Sequence, residues 1–242
     1  MSAQHGDLEH DSVCLENTTL WGRYSAESIP TKSDVSLPAS IIASATQGKK
    51  VNNILDLGCG VGRFLLDLLD HIPVQEALGV DINVEAIDLA QKSTNNKDIH
   101  FKVGDVLEME CDTKYDLVTL QLMLSVVDDR VRLLQNAKNN MIPGGVLYLS
   151  ASGVSSDINP KYKDLYERDF KLTGEMHTYY SRDPTTNEIL YKTHHFTEEE
   201  LDSLLKEQGF VNIKIHKIKE TSSRRKEEQA YFLYASANKK ND

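Results

Sequence analysis

From Val51 onward, short apolar runs alternate with stretches whose apolar residues recur at helical spacing. Ile54, Leu55 and Leu57 make a buried strand over Asn53–Leu57, and Phe64, Leu65, Leu68 and Leu69 form one face of a helix over Arg63–His71. Ala77–Val80 reads as a second strand ending at Asp81, followed by a helix over Val84–Lys92 with Val84, Ile87 and Ala90 on one side. A third strand, His100–Val103, ends at Gly104-Asp105, and Tyr115–Leu120 and Val146–Ser150 are the fourth and fifth. Between these two lie a helix over Arg130–Met141 and a turn at Pro143-Gly144-Gly145. Strands alternating with helices imply a doubly wound α/β fold, with a parallel sheet covered on both faces.

The alternation breaks after the fifth strand. Residues 151–195 contain Tyr179-Tyr180, a turn signal at Asp183-Pro184 and an extended run Ile189–Phe196, which predict a helix followed by a hairpin. Thr197-Glu198-Glu199-Glu200 has capping-box form and opens a helix with Leu201, Leu204 and Leu205 inward and Gly209 at its end. Val211, Ile213 and Ile215 alternate with Asn212, Lys214 and His216, as a half-buried strand should. A short polar loop leads to the last strand, Ala230–Ala235, so these two are expected to be antiparallel neighbours. The chain reads as a single domain, 1–242. It divides into an N-terminal cap (1–50), a core (51–150), an insertion (151–195) and a C-terminal helix and strand hairpin (196–242).

Composition narrows the function classes. A length of 242 residues suits one α/β domain with a full core. A net charge of −10 argues against a broad nucleic-acid surface, and the basic cluster Arg224-Arg225-Lys226 is followed by Glu227-Glu228, as at a solvated hairpin tip. The apolar run Leu117–Val127 is interrupted by Thr119, Gln121 and Ser125, so no membrane span is expected. Met1–Glu16 is polar and acidic, unlike a secretory signal. Three distant cysteines, Cys14, Cys59 and Cys111, offer neither a disulfide framework nor a metal-site spacing, which points to the cytoplasm. A monomer or homodimer acting on a small-molecule substrate is the expectation.

Candidate chemistry centres on Ile54-Leu55-Asp56-Leu57-Gly58-Cys59-Gly60-Val61-Gly62-Arg63, a strand-to-helix turn with glycines where a backbone must approach a ligand closely. Dinucleotide-binding dehydrogenases use G-x-G-x-x-G, whereas the pattern here is D-x-G-x-G-x-G. It resembles motif I of the class I S-adenosylmethionine-dependent methyltransferases. The resemblance continues through Asp81, Gly104-Asp105, Tyr115-Asp116-Leu117-Val118, the Pro143-Gly144-Gly145 turn and the closing hairpin, covering residues 50–150 and, by topology, 197–236.

That resemblance implies a Rossmann-like methyltransferase fold, a mostly parallel seven-stranded sheet with an antiparallel last strand. It also implies S-adenosyl-L-methionine as cofactor and S-adenosyl-L-homocysteine as product. Asp81, with Ile82 beside it, would accept from the ribose hydroxyls, or else cap the helix that begins at Val84. Asp105 would accept from the adenine amine, with the Val106 N–H offered to a ring nitrogen, or else only cap a strand end. Gly58 and Gly60 would flank the amino-acid end. Asp56 reads as a supporting acid and Cys59 as a residue small enough to fit. Upstream, Arg23 could pair with the methionine carboxylate and Tyr24 face the sulfonium or the substrate, unless Trp21 merely anchors that segment. Gln121 would contact the cofactor or line the pocket, with Leu122 and Met123 as apolar wall. The Asn/Asp-Pro-Pro-aromatic run of amine- and amide-methylating relatives is absent after strand four.

The insertion carries His177, His194 and His195, any of which could take a proton from a hydroxyl or amine acceptor. Adjacent His194 and His195 should point to opposite faces of a strand. The reading is methyl transfer to a small molecule by in-line displacement. A protein or RNA methyltransferase and a non-catalytic S-adenosylmethionine-binding protein stay open beside it, while the glycine spacing disfavours a nicotinamide-dependent reductase.

Overall fold

The computed structural model describes residues 35–183, 185–221 and 228–241. A seven-stranded sheet runs in the order β3-β2-β1-β4-β5-β9-β8. Its strands are β1 (Asn53–Leu57), β2 (Glu76–Asp81), β3 (Ile99–Val103), β4 (Tyr115–Gln121), β5 (Met141–Gly153), β8 (Phe210–Thr221) and β9 (Gln229–Lys239). β1 to β5 are mutually parallel, whereas β9 is antiparallel to both β5 and β8. The chain's final strand therefore inserts between β5 and β8, the mostly parallel sheet with an antiparallel last strand that the alternation and the resemblance imply. β6 (Thr178–Arg182) and β7 (Ile189–His194) form a separate antiparallel pair.

Helices cover both faces. α1 (Ser36–Thr46), α2 (Arg63–Leu69) and α3 (Val84–Lys92) pack on one side, contributing Ile41, Ile42, Phe64, Leu65, Leu68, Ile87 and Ala90 to a buried cluster. α5 (Arg130–Asn139) and α7 (Glu198–Glu207) cover the other with Leu133, Leu134, Ala137, Leu201 and Leu205. Each fully buried leucine contributes roughly 1.5–3 kcal/mol, so the apolar stripes dictate which helix lies on which face. The capping box is formed: the Thr197 hydroxyl accepts from Glu200 N at 3.1 Å, and Glu200 reaches back to Thr197 N. Asp116, from the fourth-strand motif, sits at the far end of the sheet and ties β1 down by accepting from Asn52 N and Asn53 N at 2.9 and 3.0 Å.

Three elements differ from the sequence reading. β5 begins at Met141, which shortens the preceding helix, and carries Pro143-Gly144-Gly145 as an irregularity within the strand, so that Tyr115 pairs Met141 while Leu117 pairs Val146. A four-residue turn, α4 (Met123–Val126), follows β4 directly, with Leu122 held at φ 57°. α1, within the segment read only as a cap, lies on β5 and β9. The insertion is as expected, a helix α6 (Pro160–Thr173) followed by the β6–β7 hairpin.

Two glycines fix the packing of α2 against β2 and β3. A Cβ at Gly62, whose φ is +76°, would lie 2.6 Å from the Phe101 ring, and one at Gly79 would meet the same ring at 2.6 Å. Phe101 is buried between them. Gly48 has the same φ of +76° with nothing within 4 Å. Gly62→Ala should therefore cost about 2 kcal/mol or more in denaturant unfolding, against about 1 kcal/mol for Gly48→Ala. Equal losses would show that φ alone sets the requirement for glycine at residue 62.

Candidate active site

The turn between β1 and α2 is held by the carboxyl end of β2. Gly58 N and Cys59 N both donate to Val80 O, at 2.8 and 3.0 Å, and Gly60 N donates to Asp81 Oδ2 at 2.8 Å. Gly58, Gly60 and Gly62 have φ of +81°, +53° and +76°, conformations that side chains disfavour. A Cβ at Gly58 would fall 2.1 Å from the Met123 thioether, so a side chain there, already disfavoured by the positive φ, would have to displace Met123.

Asp81 also accepts from Asn83 N at 2.9 Å. It is not the cap of α3; that is Asn83, whose side chain accepts from Ala86 N at 2.9 Å. Burial pushes the Asp81 carboxyl above its usual range, opposed by N–H donation from Asn83, Gly60 and Ile82. A carboxylate offers about four acceptor sites, so these three N–H groups leave capacity for a further donor.

Asp56 is 1 % exposed on the strand beside it. Thr119 Oγ1 donates to its Oδ1 at 2.6 Å, and Oδ2 is buried with no partner among the described residues. Burial, partly offset by the Thr119 bond and reinforced by the Asp81 charge, raises its pKa from 3.8 to about 7. Burial and then these two acids push the Cys59 thiol well above its ordinary range, which makes it a poor thiolate source. On the next strand, Asp105 Oδ1 accepts from Leu107 N at 2.8 Å while its carbonyl accepts from Glu108 N and Met109 N. Asp105 thus stays half-buried at the end of β3, which pairs β2 at Asp81↔Val103. Val106 is buried, and its carbonyl accepts from Asn136 Nδ2 at 2.6 Å. Three acids therefore line the carboxyl ends of β1, β2 and β3, and no ion pair to any of them is formed among the described residues.

Across the turn, the Ser150 hydroxyl donates to Gln121 Oε1, and the Gln121 side chain also bonds the Tyr148 hydroxyl. Leu122 N bonds both the carbonyl and the hydroxyl of Ser150, at 3.0 and 3.1 Å, which stabilises its left-handed backbone and sends Met123 back across Gly58. The sequence reading names Met123 as apolar wall but does not single out Thr119, Ser150 or Tyr148 as site residues. Their signal is cross-strand register: Asp56 pairs Thr119, Thr119 pairs Tyr148, and Gln121 pairs Ser150.

The insertion histidines do point apart. His194 is 4 % exposed, with Nδ1 2.7 Å from the Thr178 hydroxyl, Nε2 2.8 Å from Glu200 and its ring edge-on to Phe196. His195, 3 % exposed, turns the other way among Tyr162, Tyr166 and Tyr179, with Nδ1 2.7 Å from the Tyr166 hydroxyl. His177 is half-buried at φ 57°, and burial lowers its pKa. The hairpin is strapped to the core by ion pairs from Lys192 to Asp128 (2.6 Å) and Glu175 (2.9 Å), and from Arg130 to Glu175 (3.3 Å). Arg23 and Tyr24 lie outside the described residues. Among those described, no helix is long and apolar enough to cross a membrane, and no group of three or more His, Cys, Asp or Glu could hold a metal ion.

These features fit an adenosyl donor with a cationic sulfur and a zwitterionic amino-acid end. A carboxylate with spare acceptor capacity stands beside a bare-backbone turn, and an unmet buried acceptor, Asp56 Oδ2, stands one strand away. A family model described as a methyltransferase domain matches residues 49–209. The chain is 30% identical over 129 residues to malonyl-[acyl-carrier protein] O-methyltransferase 1 of Ilyobacter polytropus, covering 53% of this chain and 46% of that protein. It is 32% identical over 119 residues to the ubiquinone biosynthesis O-methyltransferase of Haemophilus ducreyi, covering 45% and 47%. The chain thus spans about half the length of the curated relatives it matches. Among solved structures, an S-adenosylmethionine-dependent methyltransferase from Methanosarcina mazei superposes with a TM-score of 0.72 at 29% identity, over 80% of this chain and 95% of that one. With the domain matched over most of its length and the strand order in place, the chain belongs to the class I S-adenosylmethionine-dependent methyltransferase family.

Proposed function

We propose that this protein binds S-adenosylmethionine at the β1–α2 turn and catalyses methyl transfer to a small-molecule acceptor. The observation that carries this reading is the Gly60 N–H bound to Asp81 Oδ2, which sets a buried carboxylate against a bare backbone at the switch point of the sheet. When bound, the cofactor supplies an electrophilic methyl group on a sulfonium whose charge vanishes on transfer.

The chain's residues then bind and align. Asp81 accepts from the ribose hydroxyls, with Ile82 beside it; Asp105 and the Val106 N–H hold the adenine edge. Gly58, Cys59 and Gly60 present backbone to the amino-acid end, where Asp56 and Gln121 stand. Among the described residues these acids have no ion-pair partner, which favours a donor with a cationic sulfur over the neutral product. Arg23 and Tyr24 would close the site from the N-terminal side.

The insertion follows β5 and lies at the carboxyl edge of the sheet, where it can exclude water from the acceptor. His194 is engaged at both ring nitrogens, and the His195 ring is packed among tyrosines; we assign them to holding the hairpin. His177, half-buried and held neutral near pH 7 by its lowered pKa, is the candidate to accept a proton from the acceptor. An oxygen acceptor accords with the O-methyltransferase names of the two curated relatives. Free thiols at Cys59 and Cys111 accord with a reducing cytoplasm.

Calorimetric titration with S-adenosylmethionine tests the donor reading. Asp81→Ala should weaken binding by about tenfold or more, as expected for hydrogen bonds to a charged group; equal affinity would remove the ribose assignment.

Asp56 gives a second test. Its pKa of 3.8 in the unfolded chain rises to about 7 on folding. The folded state therefore keeps a proton that the unfolded chain has released, and stability present below pH about 4 is lost as pH rises through about 7. In the ligand-free protein, Asp56→Asn should raise the unfolding free energy at pH 8 by up to about 4 kcal/mol. The gain should shrink toward zero near pH 4. A gain independent of pH would show that Asp56 does not titrate in this range.

A further inference from the structure

A cluster of charged and titratable side chains forms where the insertion joins the core. Lys192 of β7 binds Asp128, in the connection before α5, at 2.6 Å and Glu175, in the connection before β6, at 2.9 Å. Arg130, which opens α5, reaches Glu175 at 3.3 Å and lies 5.7 Å from the centre of the Phe196 ring. His194, the last residue of β7, completes the set. Its Nδ1 is 3.9 Å from Glu175, and its Nε2 is 2.8 Å from Glu200 in the first turn of α7. These contacts tie the hairpin to both helices of that face.

The charges of the cluster balance in one protonation state. Three carboxylates, Asp128, Glu175 and Glu200, face two fixed cations, Lys192 and Arg130. One negative charge is left over while His194 is neutral, and none when it is protonated. Burial opposes ionisation of Glu175 and Glu200. The Lys192 bond and the Arg130 charge nevertheless hold Glu175 below its usual range, and the His194 bond does the same for Glu200. Both acids therefore stay ionised across the pH range in which histidines change charge. Two further titratable groups on this side stay neutral there, since burial lowers His177 and raises the Tyr180 hydroxyl.

Hydrogen bonding favours the charged ring as well. A protonated His194 donates from both nitrogens, to Glu200 and to the Thr178 hydroxyl at 2.7 Å. Thr178 can then donate onward to the Met176 carbonyl at 3.2 Å. A neutral ring that keeps its bond to Glu200 must instead accept from Thr178, which takes that hydroxyl away from Met176.

We propose that His194 is a pH-sensitive latch. Protonated, it locks the β6–β7 hairpin to α7 and holds the insertion closed over the carboxyl edge of the sheet; neutral, it lets the hairpin open. Closure is thus strongest below the histidine range and weakens as pH rises through it. His177 moves with the latch, because it directly precedes β6 and its carbonyl accepts from His195 N at 3.0 Å. The device concerns the hold on the insertion and is the same whichever acceptor is methylated.

Amide hydrogen exchange of the ligand-free protein, corrected for the intrinsic rate, measures the opening at pH about 6 and about 8. Protection of β6 and β7 should fall by about tenfold between them, as expected for uncharging one hydrogen-bonded group. Hairpin opening is local, and wild type and variants share one core, so titration of core groups cancels between them. In His194→Gln, which cannot take up a proton, the fall should disappear; in His177→Gln it should persist. An NMR titration of the wild-type imidazoles needs no variant to fold, and the midpoint of lost protection should coincide with that of His194. Equal protection of the wild type at both pH values would overturn the proposal. So would a fall that survives in His194→Gln, or a midpoint that follows His177 instead.

Discussion

Three main-chain N–H groups of the glycine turn end on two acceptors at the tip of β2: Gly58 and Cys59 on the Val80 carbonyl, Gly60 on the Asp81 carboxylate. A turn with three glycines has the most conformational freedom to lose on folding, and these bonds hold it in one shape. They also explain why Asp81 tolerates burial. The N–H groups lower the cost of its charge without cancelling it with a cation, so the carboxylate stays available to a ligand. The position of α2, the seat of Phe101 between Gly62 and Gly79 and the opposition of Met123 to Gly58 all depend on that shape.

The site gives up stability for binding capacity. Asp56 is buried one strand from Asp81 with an unmet oxygen, and Leu122 is held in a left-handed conformation. Such features persist where the surrounding structure over-determines them, and they collect at functional sites. Here Thr119, Ser150 and the two packed helix layers supply that surrounding structure. The insertion takes the opposite course. His194 and His195 are enclosed by hydroxyl, carboxylate and ring partners, and Lys192 and Arg130 bind the insertion to the core through Asp128 and Glu175.

What was legible in the sequence is what local periodicity and caps encode. β1 and α3 have the bounds that the apolar spacing predicts, Asn53–Leu57 and Val84–Lys92, and the Thr197 capping box opens α7 as written. The parallel run of β1 to β5 follows from alternation, and the terminal hairpin from a short polar loop between two extended runs. The remainder depends on non-local pairing. Asp56 could be flagged as an acid, but its Thr119 partner depends on the β1–β4 register, and Tyr148 reads as an ordinary core aromatic until its hydroxyl is seen bonded to Gln121. The early start of β5 at Met141 hides behind Pro143-Gly144-Gly145, whose turn signal is local while the pairing of Met141 with Tyr115 is not. His194 and His195 looked alike as titratable groups; only tertiary packing shows both rings buried and held.

The proposed seat of the methyl donor is the glycine turn together with Asp81. A crystal structure with S-adenosylhomocysteine measures this directly. The expected complex has a ribose hydroxyl within hydrogen-bonding distance of the Asp81 carboxylate, the adenine beside Asp105 and the amino-acid end over Gly58–Gly60. A ligand bound elsewhere, or a turn filled by the protein's own side chains with the ligand excluded, would contradict it.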